Sequence, residues 1–155
     1  MIRVVVSPDP LDSGGELMRL EDAAGAGGVA SFTGLVRADD GVGLLELEHY
    51  PGMTERALAQ VAEGAAARWE LLAATIVHRV GPMRPGERIV FVGTAAPHRA
   101  AALEACAYLI DRLKTDAPFW KRETREGSAQ WVEARAADDA AAARWSTNPL
   151  PPEEG

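Results

Sequence analysis

The spacing of apolar residues changes along the 155-residue chain, and each spacing predicts a type of element. Leucine alternates with glutamate over residues 44–49, which is typical of a half-buried strand. β-branched and apolar runs predict further strands at 2–6, 29–36, 74–80 and 88–94, and two late strands are predicted at 121–123 and 130–134. Glycine-bearing and proline-bearing segments separate these runs and predict turns.

Helical spacing occurs in three segments. Asp12 is placed to cap a short helix containing Leu17 and Leu20. Apolar stripes predict two long helices over 54–69 and 99–114. Pro118 disfavours helical geometry in the residue before it, so the second long helix should end by about residue 116. Strands and helices mix without strict alternation, which predicts an α+β fold with two main helices on a mostly antiparallel or mixed sheet.

Length and composition predict a single domain over residues 1–145. The polar, proline-rich end at 146–155 is predicted to be disordered. The net charge is −7, which disfavours nucleic acid as a partner. Apolar runs are too short to cross a membrane, and the first residues lack a signal peptide's apolar stretch.

Cysteine and histidine are scarce. Cys106 is the single cysteine, so an internal disulfide and a multi-cysteine metal site are excluded, and with three histidines we expect no metal. Cys106 lies on the apolar stripe of a helix and is expected to be a core residue. A reducing cytoplasm fits this composition.

The candidate catalytic and binding residues are basic side chains, most of them near the ends of predicted helices and strands. Lys114 falls near a predicted helix end and Lys121 follows a proline turn, so the two amines could meet, although position alone favours ordinary solvated lysines. His98 and Arg99 stand at a predicted helix start, either as an anion site or as a cap beside a solvated arginine. Arg37 ends a predicted strand and suits oxyanion contact, but it also fits an ordinary surface arginine. Position alone leaves these alternatives open, and the same holds for Arg135.

Six short sequence motifs follow one another along the chain, and they say more about its function than the spacing of its residues does. The motifs are GVASFTGLVR (28–37), LEHYPGM (47–53), VHRVG (77–81), PHR (97–99), LKTDAPFWKRE (113–123) and WVEAR (131–135). Together the series closely resembles the large-subunit family of molybdopterin synthases, over roughly residues 2–145.

The resemblance implies a fold and a reaction. The fold is an α/β hammerhead-type domain with an additional antiparallel β subdomain. The reaction installs two sulfurs on cyclic pyranopterin monophosphate to form the dithiolene of molybdopterin. Sulfur arrives as a thiocarboxylate on the C-terminal Gly-Gly tail of a small ubiquitin-like carrier, so no cofactor is expected. The assembly implied is a homodimer of large subunits within a heterotetramer.

The resemblance also implies residue roles. Lys114 and Lys121 match the two catalytic lysines of the family. Phe32, Arg37 and Arg135 match residues of its substrate pocket. His98 and Arg99 match pocket residues too, and we expect them to come from the other subunit of the dimer. Asp116 lies between the lysines and is close enough in sequence to pair with either.

Two other functions stay open. The first is a non-catalytic scaffold that keeps the fold and the partner groove, against which the retained Lys114 and Lys121 argue. The second is a persulfide enzyme of the rhodanese type, which needs a reactive thiol at Cys106. An assay with carrier and pterin separates the first from the sulfurtransferase, and replacement of the cysteine tests the second.

Overall fold

A computed structural model describes residues 1–38, 41–125, 128–132 and 145, and over these ranges the chain forms eight strands and three helices. The strands are β1 (Ile2–Ser7), β2 (Gly28–Leu35), β3 (Val42–His49), β4 (Ala73–Arg79), β5 (Gly81–Met83), β6 (Arg88–Ala96), β7 (Phe119–Arg125) and β8 (Ser128–Val132). The helices are α1 (Ser13–Glu21), α2 (Met53–Trp69) and α3 (Arg99–Asp116).

The first sheet has the strand order β1-β4-β6-β2. Strand β1 runs parallel to β4, and the other two pairs are antiparallel. Side chains alternate across this sheet, so its apolar positions divide between two faces. One face carries Ile76 and Val92 against α2 and α3, and the other carries Val77 and Phe91 against α1. Helices therefore cover both faces of the first sheet.

The second sheet has the order β5-β3-β7-β8, and all its pairs are antiparallel. Its core residues Leu45, Leu47 and Met83 pack with Val36 and Val80, which lie just beyond the ends of β2 and β4. This cluster joins the two sheets. The predicted α+β class is confirmed, and the second sheet is the antiparallel subdomain that the resemblance implied.

Most element predictions are confirmed to within a few residues. The carboxylate of Asp12 accepts from the backbone N–H of Gly15 at 3.1 Å and caps α1 as expected. Helix α3 ends at Asp116, directly before the segment that Pro118 restricts. Strand β5 was not predicted, because three residues are too few to show a period.

Trp145 packs against the two long helices. Its ring stands edge-on to Trp69 and Tyr108, at centroid distances of 5.9 and 5.5 Å. Its indole N–H donates to the carboxylate of Asp111 at 2.5 Å. The predicted disordered tail at 146–155 lies outside the described residues, as do 133–144, and the single domain over 1–145 stays a prediction. Among the described helices, none is long and apolar enough to span a membrane.

Candidate active site

The two predicted catalytic lysines lie on consecutive elements. Lys114 is exposed in the last turn of α3, and Lys121 is half-buried in β7. Only Ala117 and Pro118 separate the two elements, and we call residues 115–118 the lysine turn. These are the only two lysines in the chain, and its other 14 basic side chains are arginines. Lysine can give up a proton near neutral pH when its surroundings favour it, whereas arginine cannot, so the usage points to a function specific to an amine.

A buried carboxylate holds Lys121. Phe119, Lys121 and Glu123 alternate along β7 and therefore project from one face of the strand. Glu123 is 6% exposed, and its carboxylate lies 3.6 Å from the amine of Lys121 and 2.7 Å from the guanidinium of Arg125. Sequence reasoning did not select Glu123, because a single acidic residue in a polar strand has no distinguishing pattern. It fixes the direction of the Lys121 side chain.

A buried histidine, His78, lies close enough to Lys114 for the charge of the lysine to lower its pKa. The His78 ring stacks on Phe119 with centroids 4.2 Å apart and an interplanar angle of 28°. Its Nδ1 is 2.9 Å from the carbonyl oxygen of Arg79. A carbonyl only accepts, so Nδ1 carries the proton and the lone pair is on Nε2. The pKa of His78 is lowered to about 4, chiefly by burial and further by the nearby Lys114 and His49, although the Arg79 hydrogen bond raises it. The ring is neutral at physiological pH.

The depressed pKa of His78 predicts a pH-dependent stability. Unfolding restores the pKa to about 6.5, so the unfolded state binds a proton more readily below that value. The free energy of unfolding therefore keeps its full value above about pH 6.5 and declines as the pH falls towards 4. His78 alone accounts for a loss of about 3 kcal/mol. Urea unfolding of the wild type and of His78→Phe between pH 7 and 4 measures the effect. The variant should lose less stability over this range, and equal losses would contradict the assignment.

Asp116, the acidic residue between the lysines, does not pair with either of them. Its carboxylate lies 2.8 Å from the guanidinium of Arg112, one helical turn earlier, and accepts from the hydroxyl of Thr115 at 3.2 Å. Asp116 pairs with Arg112 because residues four apart in a helix lie on the same face of it. Asp116 therefore does not neutralise either ammonium group.

Of the predicted pocket residues that the structure describes, one lies at the lysine end of the first sheet, two lie at the opposite end, and one lies between them. Helix α3 follows β6 and packs back along β6 and β2, so its C-terminal end lies at the same end of the sheet as the end of β2. Arg37, two residues beyond β2, is therefore at the lysine end. Phe32 lies in the middle of β2 and is 38% exposed. Arg135 lies outside the described residues.

His98 and Arg99 lie at the opposite end, where α3 begins. Both are exposed, and the imidazole of His98 makes no capping hydrogen bond. Gly28 at the start of β2 packs so close that a Cβ there would be 3.2 Å from the Cα of Arg99. From Arg99 to Lys114 is 15 helical residues, or about 22 Å. One chain does not bring these two residues to its own lysines.

Cys106 is a core residue, as predicted. It is 5% exposed, packs among apolar residues of α2 and the first sheet, and burial raises the pKa of its thiol to about 11. A thiol in this environment is a poor nucleophile. In the part of the chain that the structure describes, no three metal-ligating side chains of histidine, cysteine, aspartate or glutamate cluster together.

Known proteins match this chain over nearly its whole length. Residues 6–116 match the family model of the MoaE protein. The chain belongs to the MoaE family. The molybdopterin synthase catalytic subunit of Cereibacter sphaeroides is 51% identical over 146 residues, covering 93% of this chain and all of that protein. The protein of the same name from Escherichia coli is 48% identical over 146 residues, covering 92% of this chain and 97% of that protein.

A solved MoaE-family structure has the same fold. The molybdopterin cofactor biosynthesis protein E from Burkholderia multivorans superimposes with a TM-score of 0.82 at 47% identity, covering 96% of this chain and 99% of that one. The family resemblance inferred from the six sequence motifs is confirmed.

Proposed function

We propose that this MoaE-family chain is the catalytic subunit of a molybdopterin synthase. It transfers sulfur from the thiocarboxylated C-terminus of a small ubiquitin-like carrier to cyclic pyranopterin monophosphate and so forms the dithiolene of molybdopterin. The observation that carries the proposal is the placement of the chain's only two lysines on either side of a two-residue connection, one next to a neutral His78 and the other held by Glu123.

Two ammonium groups suit the reactants. The pterin phosphate and the thiocarboxylate are both anions, so positive charges fixed near the reacting atoms offset the charge that develops during transfer. Lys121 is preorganised by its ion pair with Glu123. Lys114 is exposed and next to an uncharged imidazole, so it is free to reach an incoming tail or to move a proton. Arg37, Arg135 and Phe32 complete the substrate pocket in this proposal.

The pocket is shared between two copies of the chain. His98 and Arg99 are about 22 Å from the lysines of their own chain, yet the proposed pocket needs them near Lys114. Within the described residues β2 is an edge strand, and Phe32 and Leu35 on it are exposed. Antiparallel pairing of two β2 edges around a two-fold axis brings the start of one strand, next to Arg99, to the lysine end of the other. This supports a homodimer with two composite sites.

The complete assembly in this proposal is a heterotetramer, in which each large subunit of the dimer binds one carrier. Because each thiocarboxylate holds one sulfur, two carrier tails are consumed for each dithiolene. Sulfur is supplied by the partner, which agrees with the burial of Cys106. We also propose that the enzyme works in the cytoplasm, where an unpaired thiol such as this one remains reduced.

Reconstitution tests the function. The purified chain, thiocarboxylated carrier and cyclic pyranopterin monophosphate are expected to yield molybdopterin, measured as its fluorescent oxidation product. Carrier with an ordinary C-terminal carboxylate is the control and should yield none. A chain that binds the carrier but forms no dithiolene would instead be the non-catalytic scaffold.

Cys106→Ala separates carrier-supplied sulfur from persulfide chemistry. We expect the variant to retain turnover within about twofold of the wild type, because the thiol is buried and its loss removes only a small packing contact. The same reconstituted assay measures it, with the folded fraction checked by circular dichroism. Loss of activity in a folded variant would favour the rhodanese-type mechanism.

A further inference from the structure

The lysine turn joins the two catalytic lysines and sets their separation. Helix α3 ends at Asp116 and β7 begins at Phe119. The backbone of Ala117 is extended and its N–H bonds to the carbonyl of Leu113 at 3.4 Å. Any movement at 117–119 therefore changes the direction of β7 relative to α3, and with it the positions of both amines.

A single buried hydroxyl holds the turn from α2. Thr54 is fully buried, and its Oγ1 donates to the carbonyl oxygen of Pro118 at 2.9 Å. The same oxygen accepts the backbone N–H of Tyr50 at 2.9 Å. Both hydrogen-bonding functions of the hydroxyl are used, and they link two points 64 residues or more apart in sequence. Without the hydroxyl, the carbonyl of Pro118 loses this protein donor.

A second contact holds the next residue from β4. The ring of Phe119 stacks on His78, which is 7% exposed and whose own orientation is fixed by the bond to Arg79 O. The two contacts fall on consecutive residues, 118 and 119, and come from different elements. Neither supporting side chain is placed among the groups that contact substrate.

We propose that Thr54 and His78 are positioning residues that fix the spacing of Lys114 and Lys121, an inference that rests on the proposed sulfurtransferase function. Transfer between two bound anions requires both ammonium groups in register with the reacting atoms, and a displacement of about 1 Å can lower a rate 100-fold. The buried, doubly used hydroxyl and the stacked neutral ring restrict the turn from two sides.

Thr54→Val tests the hydroxyl, because valine keeps the shape and loses both hydrogen bonds. We expect kcat to fall by about 10-fold to 100-fold, with little change in KM for the carrier. Thr54→Ser restores the hydroxyl and should recover kcat to within about threefold. Thr75→Val is the matched control, since Thr75 is 3% exposed in β4 and lies on the opposite sheet face from His78. That control should keep wild-type kcat.

A parallel pair tests the stacked ring. His78→Phe keeps an aromatic surface against Phe119, whereas His78→Ala removes it, so kcat should decline further in the alanine variant. Unfolding temperatures are measured for every variant, and assays are run where each one is folded. This keeps loss of positioning distinct from loss of fold.

The outcomes separate the two proposals. An active wild type with unchanged kcat in Thr54→Val overturns the positioning role alone. Equal losses in Thr54→Val and Thr75→Val, in proportion to lost stability, also overturn it, because they show a structural effect only. An inactive wild type overturns the proposed function and the positioning role together. A selective, serine-rescued loss of kcat supports both.

Discussion

Replacing Lys114 with alanine is expected to lower the rate of dithiolene formation by about 100-fold or more while the affinity for the carrier changes little. The side chain is exposed at the end of α3, so its removal should cost less than about 0.5 kcal/mol of folding stability. Its charge acts on the neutral His78, and within the described residues its amine forms no ion pair. The loss should therefore appear in turnover rather than in folding.

The measurement is single-turnover formation of molybdopterin with saturating thiocarboxylated carrier, together with a separate carrier-binding titration. Arg122→Ala is the matched control, since Arg122 is an exposed cation in β7 that alternation places on the face opposite Lys121. It removes the same charge and should retain nearly full activity. Turnover of Lys114→Ala at the wild-type rate would refute the catalytic assignment.

Arginine substitutions distinguish a proton carrier from an anion clamp. Lys114→Arg and Lys121→Arg keep the charge, but a guanidinium does not release its proton. If one lysine serves only to hold an anion, its arginine variant should keep much of its activity, whereas the lysine that moves a proton should be as impaired by arginine as by alanine. We expect Lys121→Ala to be impaired as well, although less than Lys114→Ala.

Elements long enough to show a clear period of apolar residues were predicted well from the sequence. The apolar period predicted helix α3 and the alternating strand β3. The restriction that Pro118 places on the preceding residue predicted where α3 ends. Strand β5 has three residues and no period, and its place beside β3 depends on tertiary pairing.

The candidate site was only partly predictable, for a related reason. Lys114 and Lys121 belong to a recognisable sequence motif, but the residues that hold the connection between them come from distant parts of the chain. Thr54 appears in the sequence as a residue near a helix start, and His78 as one position in an apolar strand. Their contacts with residues 118 and 119 depend on how α2 and β4 pack, which no local pattern encodes. The position of His98 and Arg99 at the start of α3, far from the lysines of their own chain, is consistent with the expectation that the other subunit supplies them, which stays a prediction.

Mixing Lys114→Ala with Arg99→Ala, each expected to be impaired alone, should restore activity if the pocket is composite. A chain with Lys114→Ala still offers its His98 and Arg99, and a chain with Arg99→Ala still offers both lysines. In a mixed dimer, one of the two sites then combines an intact Lys114 with an intact Arg99 from the other chain. Random reassociation gives half mixed dimers, so about a quarter of wild-type activity is expected.

The control for this experiment is a mixture of Lys114→Ala with Lys121→Ala chains, since both lysines of a site come from the same subunit. No mixed dimer then contains a complete site, and mixing should give no activity beyond that of the two variants measured separately. The distance of about 22 Å along α3 is what makes the two mixtures differ, because it prevents Arg99 from reaching the lysines of its own chain. Absence of rescue in the Lys114→Ala and Arg99→Ala mixture, after exchange of subunits has been verified, would show that each chain contains a whole site.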